Sequence, residues 1–483
     1  MRLPFLDRER ELARLRRALD RGEDALLCLY GRRRCGKSRL IREAVEGRQA
    51  IYYVGDARAA ELQRDDLARE IGRLLPGFAD VTYPGWEPLL GRWWNDASPD
   101  SVLVLDEFPE IVAVSPELPS VLQKLVDRGG RGSRNTILAG SSQRMMLGTL
   151  LDASAPLYGR AREILKVEPL DISCVPLAFK VRNAAEAVEH YAVWGGVPRY
   201  WELALDEPDR DAAIRNLVLD PLGVLHREPE RLLLDDVKDV TRAASILALV
   251  GQGCHRISEI GARLGQPATS LSRPMAKLVE LGLLGRDIPF GRSIRDAKRS
   301  LYRISDPLLR FWYGFVDRNR SRLAAGQIDV VEAEVNEGWP RHLGSVWEDL
   351  ARGSVAGLDV AGRSWQPAAR WWGRGRDGSQ IELDIVAAAT DDPSVVLVGE
   401  AKLGIGRDDG PRLLTDLERR AAACPELVGK TVHTCLWSMH EPTTASARKL
   451  VAAGRLVTAG GIVSAPHRGT SRPRASARGR RHR

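Results

Sequence analysis

Three near-continuous apolar runs stand out early in the chain: ALLCLY within residues 25–45, SVLVLD within 101–111 and TILAG within 136–146. Short apolar runs without polar alternation read as strands covered on both faces, as in a parallel sheet. Each is followed by a polar turn and a helical stretch, and another strand is expected after the loop at 156–162. Residues 182–235 read as helices broken by WGGVPRYWELAL (194–205), where Gly195, Gly196 and Pro198 mark either a hinge in a lid or a plain inter-helix turn. Residues 240–305 change pattern. Three helices (TRAASILALVGQG, ISEIGARLG, SLSRPMAKLVELGLL) precede a two-strand wing, GRDIPF…RSLYRIS. That order is a winged helix-turn-helix, with 270–284 in the recognition position and Ser270, Ser272, Arg273 and Lys277 on its outer face. Such modules contact DNA or dock proteins, and both readings stand. Further on, HLGSVWEDLARGSV (342–355) is helical, AARWWGRGRDGSQ (368–380) is a basic, aromatic strand and turn, and IELDIVAA and VVLVGEAKL are two strands joined by a turn.

The fold class expected is therefore α/β and multidomain. Residues 1–235 form a P-loop parallel sheet with a helical lid, 236–320 a winged helix, and 321–466 a second α/β domain, with a basic tail at 467–483. A length of 483 residues suits about three domains. No run approaches the ~20 apolar residues of a membrane span, and MRLPFLDRERELARL lacks the apolar core of a secretory signal. Six cysteines without a CxxC pair argue against zinc and against a disulfide framework, so a reducing cytoplasm is expected. The net charge of +8 is concentrated in RGTSRPRASARGRRHR, which has seven arginines and no acid. That tail should be disordered; it either holds nucleic acid through phosphates or is simply solvated.

Within the first strand–loop–helix, GRRRCGKS matches G-x-x-x-x-G-K-[ST]. The glycines let backbone N–H groups converge on phosphate oxygens at a positive helix N-terminus. Lys37 should reach the β and γ phosphates of ATP, and Ser38 should ligate Mg²⁺. The expected nucleotide-binding set is Gly31, Arg32, Arg33, Arg34, Cys35, Gly36, Lys37, Ser38 and Arg39, with Asp106. Asp106, ending the second apolar run, would join the Mg²⁺ shell, and Glu107 would orient and deprotonate the attacking water. One of Ser141, Ser142 and Gln143 either senses the γ-phosphate or caps a helix. Arg160 and Arg162, in the loop before another strand, are read as surface residues or as a source of transition-state charge neutralisation. The lead-in FLDRERELARLRRAL could pack beside the adenine.

FLDRERELARL, LYGRRRCGKSRL, VLVLDEFP, LYGRAREI, WGGVPRYWELAL and YRISDPLLRFWYGFV, in this order, resemble the archaeal-type ATPases of the AAA+/STAND group. The resemblance covers roughly residues 3–460. It implies an ATP-dependent switch joined to a winged helix and to a C-terminal domain similar to PD-(D/E)xK nucleases. It also implies that Arg160, in LYGR, is an arginine finger, acting in cis or from a neighbouring subunit of a homo-oligomer.

Metal-dependent cleavage of a phosphodiester needs carboxylates that hold a divalent ion and a group that positions hydroxide. Asp384 and Glu400 on successive strands fit the metal-ligand pattern. Lys402 falls on the same face as Glu400, because strand side chains alternate. Glu348 on the preceding helix would complete or orient the shell. The position after Lys402 is Leu403, where relatives usually carry an aromatic residue. Two functions follow as expectations: an ATPase that couples nucleotide state to DNA binding or metal-dependent DNA cleavage, or a regulatory ATPase switch whose C-terminal domain is a non-catalytic scaffold.

Overall fold

The computed structural model describes residues 3–21, 24–128, 134–150, 152–293, 299–406 and 409–464. The basic tail expected at 467–483 lies outside these residues. The chain forms two compact units whose segments alternate along the sequence. Unit 1 is Met1–Leu170, Gly196–Ala248 and Arg273–Leu283; unit 2 is Asp171–Gly195, Leu249–Ser272 and Leu284–Arg483.

Unit 1 is built on β1 (Ala25–Tyr30), β2 (Ala50–Val54), β3 (Val102–Asp106), β4 (Asn135–Gly140) and β5 (Ala161–Lys166), in the order β2-β3-β4-β1-β5. Every pairing is parallel. β3 and β4 are buried along their whole length, which explains their unbroken apolar runs. One core packs Leu103, Leu105 and Leu138 against Trp86 and Trp93 of the helix Trp86–Asp96. With all strands parallel, the loops after β1, β3 and β4 open at one edge of the sheet. That edge is where open α/β sheets bind ligands.

Unit 2 contains the antiparallel pair β6 (Leu284–Asp287) and β7 (Leu301–Ile304). It follows the helices Val240–Gly251, Ile257–Arg263 and Ala268–Glu280 in sequence. Residues 294–298, between the two strands in sequence, are not among those described. A short pair, β8 (Asp359–Val360) and β9 (Arg363–Ser364), precedes the main sheet. That sheet orders β10 (Ala369–Arg374), β11 (Gln380–Ala388), β12 (Val395–Lys402), β13 (Thr431–Ser438) and β14 (Leu456–Thr458) consecutively. The first three strands are antiparallel, and β12, β13 and β14 are parallel. The direction changes because the helix Asp409–Ala423 carries the chain back between β12 and β13. Leu414 and Leu417 of that helix pack on Val396, Val398 and Leu436. The long helix Ile328–Ser354 lies against β11 and β12.

Candidate functional site

The phosphate loop follows β1 and takes its shape from glycine. Gly31 has φ 149° and Gly36 φ 91°, both in the region that side chains avoid. A Cβ on Gly31 would also stand 2.4 Å from the Val167 carbonyl oxygen. Gly36 then turns the chain into the helix Lys37–Val45. Arg34 also adopts a left-handed conformation, φ 69°, without being glycine. It is held there by an ion pair of 2.8 Å with Glu228, a side chain only 1% exposed. The other Glu228 oxygen accepts from Tyr200 Oη at 2.7 Å, and Tyr200 accepts from Arg32 at 2.9 Å. Two of the variable positions of the loop are thus tied to residues about 170 to 190 positions later in the chain.

Lys37 is buried, and its Nζ donates to the Gly31 carbonyl at 2.8 Å and the Arg32 carbonyl at 3.2 Å. Burial lowers its pKa, and the charges of Glu107, Cys35 and Asp106 oppose that shift. Ser38 Oγ donates to Asp106 Oδ2 at 2.7 Å, and Tyr52 Oη donates to the same oxygen. Burial and then the Asp106 charge push the Tyr52 phenol well above its ordinary range, so it stays a donor. A serine hydroxyl and a carboxylate converging beside the loop are hard oxygen donors of the kind Mg²⁺ takes, so these residues fit that ion. Glu107 has φ 49°, and its Oε2 accepts from Ser141 Oγ at 2.8 Å and Ser141 N at 3.2 Å.

Arg34, Gly36, Lys37, Ser38 and Glu107 border a cavity of about 340 Å³. Leu3, Pro4 and Phe5 form an apolar wall, and Pro198 with the ion-paired Arg199 and Glu202 of the helix Pro198–Leu205 forms a second, charged side. Arg33, Arg39 and Cys35 line it as well. Arg39 donates to the Leu3 carbonyl at 2.6 Å and faces the Phe5 ring at 5.6 Å, which fixes the lead-in segment beside the loop.

Of the sensing candidates, Ser141 reaches Glu107, whereas Gln143 donates to the Leu281 carbonyl at 3.4 Å. Ser142 is buried. Arg160 does not line the cavity. Its guanidinium forms a two-pronged pair with Asp127, both contacts 2.8 Å, and also donates to the Pro156 and Tyr158 carbonyls. Ser270, Ser272 and Arg273 are exposed as anticipated, and Lys277 pairs with Glu280 at 3.0 Å.

In unit 2 the register pairs Ile385 with Gly399, which sets Asp384 opposite Glu400 on the neighbouring strand. The pairing of β11 with β10 slips between Ala369 and Trp371, so Leu383 and Val386 both enter one core with Asp384 between them. Asp384 Oδ2 accepts from the Ala401 amide at 3.1 Å. Glu400 and Lys402 share a face with Val396 and Val398, toward the helix Asp409–Ala423. Lys402 Nζ lies 2.6 Å from one Glu400 oxygen, and Arg420 of that helix donates to the other. Burial, then the Asp384 charge, pushes the Glu348 carboxyl up to about 7, against the pull of Arg370 and Arg352. The structure therefore brings Glu348, Asp384, Glu400 and Lys402 into one neighbourhood. Asp384 and Glu400 are suitable oxygen donors for a divalent cation, but Arg420 would have to leave Glu400 to admit one. Among the described residues no group of three His, Cys, Asp or Glu side chains stands ready as a metal cage.

Residues 5–82 match the model of an ATPase domain predominantly from Archaea. Residues 312–407, which include Glu348, Asp384, Glu400 and Lys402, match a family described as archaea bacterial proteins of unknown function. An uncharacterized protein of Methanocaldococcus jannaschii is 27% identical over 423 residues, 86% of this chain and 92% of its own. Among solved structures, a Walker-type ATPase of Pyrococcus abyssi superposes with TM-score 0.48 at 19% identity, covering 64% of this chain and 96% of that one. The Aeropyrum pernix ORC2 protein gives TM-score 0.38 at 15% identity, over 69% and 96%. The first part of the chain is thus similar to an ATPase domain predominantly from Archaea, and its parallel sheet and glycine-shaped loop agree with that likeness. Among the described residues no helix is long and apolar enough to cross a membrane.

Several contributors carry no local signal in the sequence. Tyr52 is one apolar-looking residue in a strand, and only the register beside β3 brings it to Asp106. Arg8, 6% exposed, donates to the Cys35 carbonyl at 3.4 Å from a segment rich in arginine. Arg420 sits in LERR, where nothing local separates it from Arg419. The GGVPR stretch, whose Gly195, Gly196 and Pro198 suit a hinge or a turn, supplies Pro198 and Arg199 to the cavity.

Proposed function

We propose that this chain is an ATP-hydrolysing switch whose C-terminal part cleaves DNA with the help of a divalent metal. The observation that carries the reading is the pairing of two polar sets on one chain. One is Lys37, Ser38, Asp106 and Glu107 beside the phosphate loop; the other is Glu348, Asp384, Glu400 and Lys402 across β11 and β12.

At the first set, the loop amides receive the phosphates and Lys37 turns from the loop carbonyls to the β and γ groups. Ser38 and Asp106 would hold Mg²⁺, and the ion would supply charge neutralisation on the phosphates. Glu107, freed from Ser141, takes the proton of the attacking water. Arg160 acts on the nucleotide of a neighbouring copy after giving up Asp127. At the second set, Asp384 and Glu400 would be the metal ligands, and a divalent ion held there would supply charge neutralisation on the scissile phosphate. Lys402 positions the attacking water, and Glu348 supports the carboxylate pair. In this reading residues 1–235 are the cytoplasmic ATPase and its lid. Residues 236–320 are a winged helix that docks DNA, residues 321–466 are the cleavage domain, and the basic tail adds phosphate contacts.

The occupation of both Glu400 oxygens by Lys402 and Arg420 favours a second reading, in which the same domain is a scaffold without catalysis. The two separate in one comparison. DNA cleavage in Mg²⁺ or Mn²⁺ that disappears in Asp384→Ala supports the nuclease. Slow ATP hydrolysis and nucleotide-dependent assembly, both indifferent to Asp384→Ala, support the scaffold.

A further inference from the structure

We propose that unit 2 carries a phosphate-binding pocket for the backbone of nucleic acid, formed by Arg286, Arg303, Arg352 and Arg370. The inference deepens the DNA reading above and rests on it for the identity of the ligand. β6 supplies Arg286 and Asp287, β7 supplies Arg303, the helix Ile328–Ser354 supplies Asp349 and Arg352, and β10 supplies Arg370. Together they line a cavity of about 330 Å³.

The charges do not cancel. Four arginines face two aspartates around this space. Asp349 is already shared by Arg303 at 2.7 Å, Arg310 at 2.5 Å and Arg352 at 2.9 Å. Asp287 is 3.2 Å from Arg303 and 3.7 Å from Arg370. Burial would raise the Asp349 carboxyl, yet Arg310, Arg303 and Arg352 outweigh it and hold it well below the usual carboxylate range. Asp349 is therefore fully committed as an anion, and a net positive field remains.

Among the described residues, two donors in the lining have no hydrogen-bond partner. Arg352 is 7% exposed, and its Nη2 makes no hydrogen bond; the same is true of the buried Arg370 Nε. A buried guanidinium N–H without an acceptor costs about 1–3 kcal/mol, so such atoms mark a place where an external acceptor arrives. Several planar guanidinium forks converging on one space suit the oxygens of a phosphodiester.

The position links the pocket to the carboxylates. Arg352 Nε donates to the Asp384 carbonyl at 2.8 Å, and Glu348 is the residue before Asp349. Arg370 pulls electrostatically on Glu348 and pairs with Glu382 on β11. A phosphate seated among these arginines places the neighbouring stretch of backbone beside the strand that bears Asp384. The β6–β7 pair, read as the wing, contributes Arg286 and Arg303 to the same grip.

The test is equilibrium binding of a fluorescent DNA duplex of about 20 base pairs to the full-length protein, in EDTA and without ATP, over a range of salt. Arg286→Gln, Arg370→Gln and the double variant are compared with wild type. Arg182→Gln, at a side chain 87% exposed elsewhere on unit 2, controls for loss of a surface charge. The proposal expects roughly a fivefold loss of affinity per pocket arginine, and a slope of log K against log salt reduced by about 1 each time. Inorganic phosphate should compete with the duplex in wild type and lose potency in the double variant. Unchanged ATP hydrolysis and far-UV circular dichroism show that the variants are folded. A double variant that is folded and binds with wild-type affinity and slope overturns the pocket. Absence of cleavage with any metal, alongside these binding losses, overturns the nuclease reading and leaves the pocket standing.

Discussion

Ser141 Oγ donates to Glu107 Oε2 at 2.8 Å, so the end of β4 holds the acid that follows β3. The same oxygen accepts the Ser141 amide, and Glu107 is in a left-handed backbone conformation. Such a conformation in a non-glycine residue is sustained where its surroundings enforce it, often at functional sites. Glu107→Gln keeps the shape of the side chain and removes its basicity. ATP turnover should fall by about 10²–10³ while ATP affinity stays within about twofold. Steady-state hydrolysis and calorimetric titration on the same preparation check both halves.

Glu228 is the acceptor for Arg34 and Tyr200 and is almost fully buried. Glu228→Gln leaves Arg34 a weaker partner at a strained position of the phosphate loop. Breaking a buried pair from one side costs about 3 kcal/mol. Urea denaturation should show a loss of that size, and saturating ATP should recover part of it by binding the folded loop.

A Cβ on Gly196 would stand 1.9 Å from the Leu170 carbonyl oxygen. The Leu170 amide also donates to the Gly196 carbonyl at 2.6 Å, so the two segments cannot separate without losing that bond. Gly196→Ala should therefore destabilise the protein by about 3 kcal/mol. A neighbouring substitution at Arg199, which is exposed, should leave the thermal midpoint within about a degree or two.

His342 is buried, and its Nε2 donates to the Ala192 carbonyl at 2.8 Å. Burial pushes its pKa down to about 4, helped by Arg310 and opposed by the Ala192 bond. Below pH about 6.5 the unfolded chain takes up this proton and the folded chain does not, so stability falls as pH drops toward 4. At pH 5 the loss relative to pH 8 is about 2 kcal/mol. His342→Phe has no proton to gain. The wild-type-minus-variant difference in denaturation free energy should shrink by that amount between pH 8 and pH 5.

The sequence made unit 1 readable because its chemistry is local. Gly31, Gly36, Lys37 and Ser38 lie within one turn of chain, and Asp106 ends an apolar run that has no other reading than a buried strand. The pair Glu400 and Lys402 was equally legible, since alternation along one strand puts them on one face. Long-range partners were not. Tyr52 meets Asp106 through parallel pairing, Glu228 meets Arg34 across nearly two hundred residues, and Arg420 meets Glu400 through helix packing. Arginine is so frequent here that composition gives each one the look of a solvated surface residue. The partners that Arg160 has in Asp127 and two loop carbonyls could not be read from LYGR alone.

The measurement that bears most directly on the proposed function is cleavage of single- and double-stranded DNA by the purified full-length protein in Mg²⁺ or Mn²⁺, with and without ATP. Lys402→Ala and Lys37→Ala run beside wild type. The account predicts cleavage by wild type, its loss in Lys402→Ala, and a changed ATP response in Lys37→Ala. No cleavage in any lane, with ATP still hydrolysed, would contradict it.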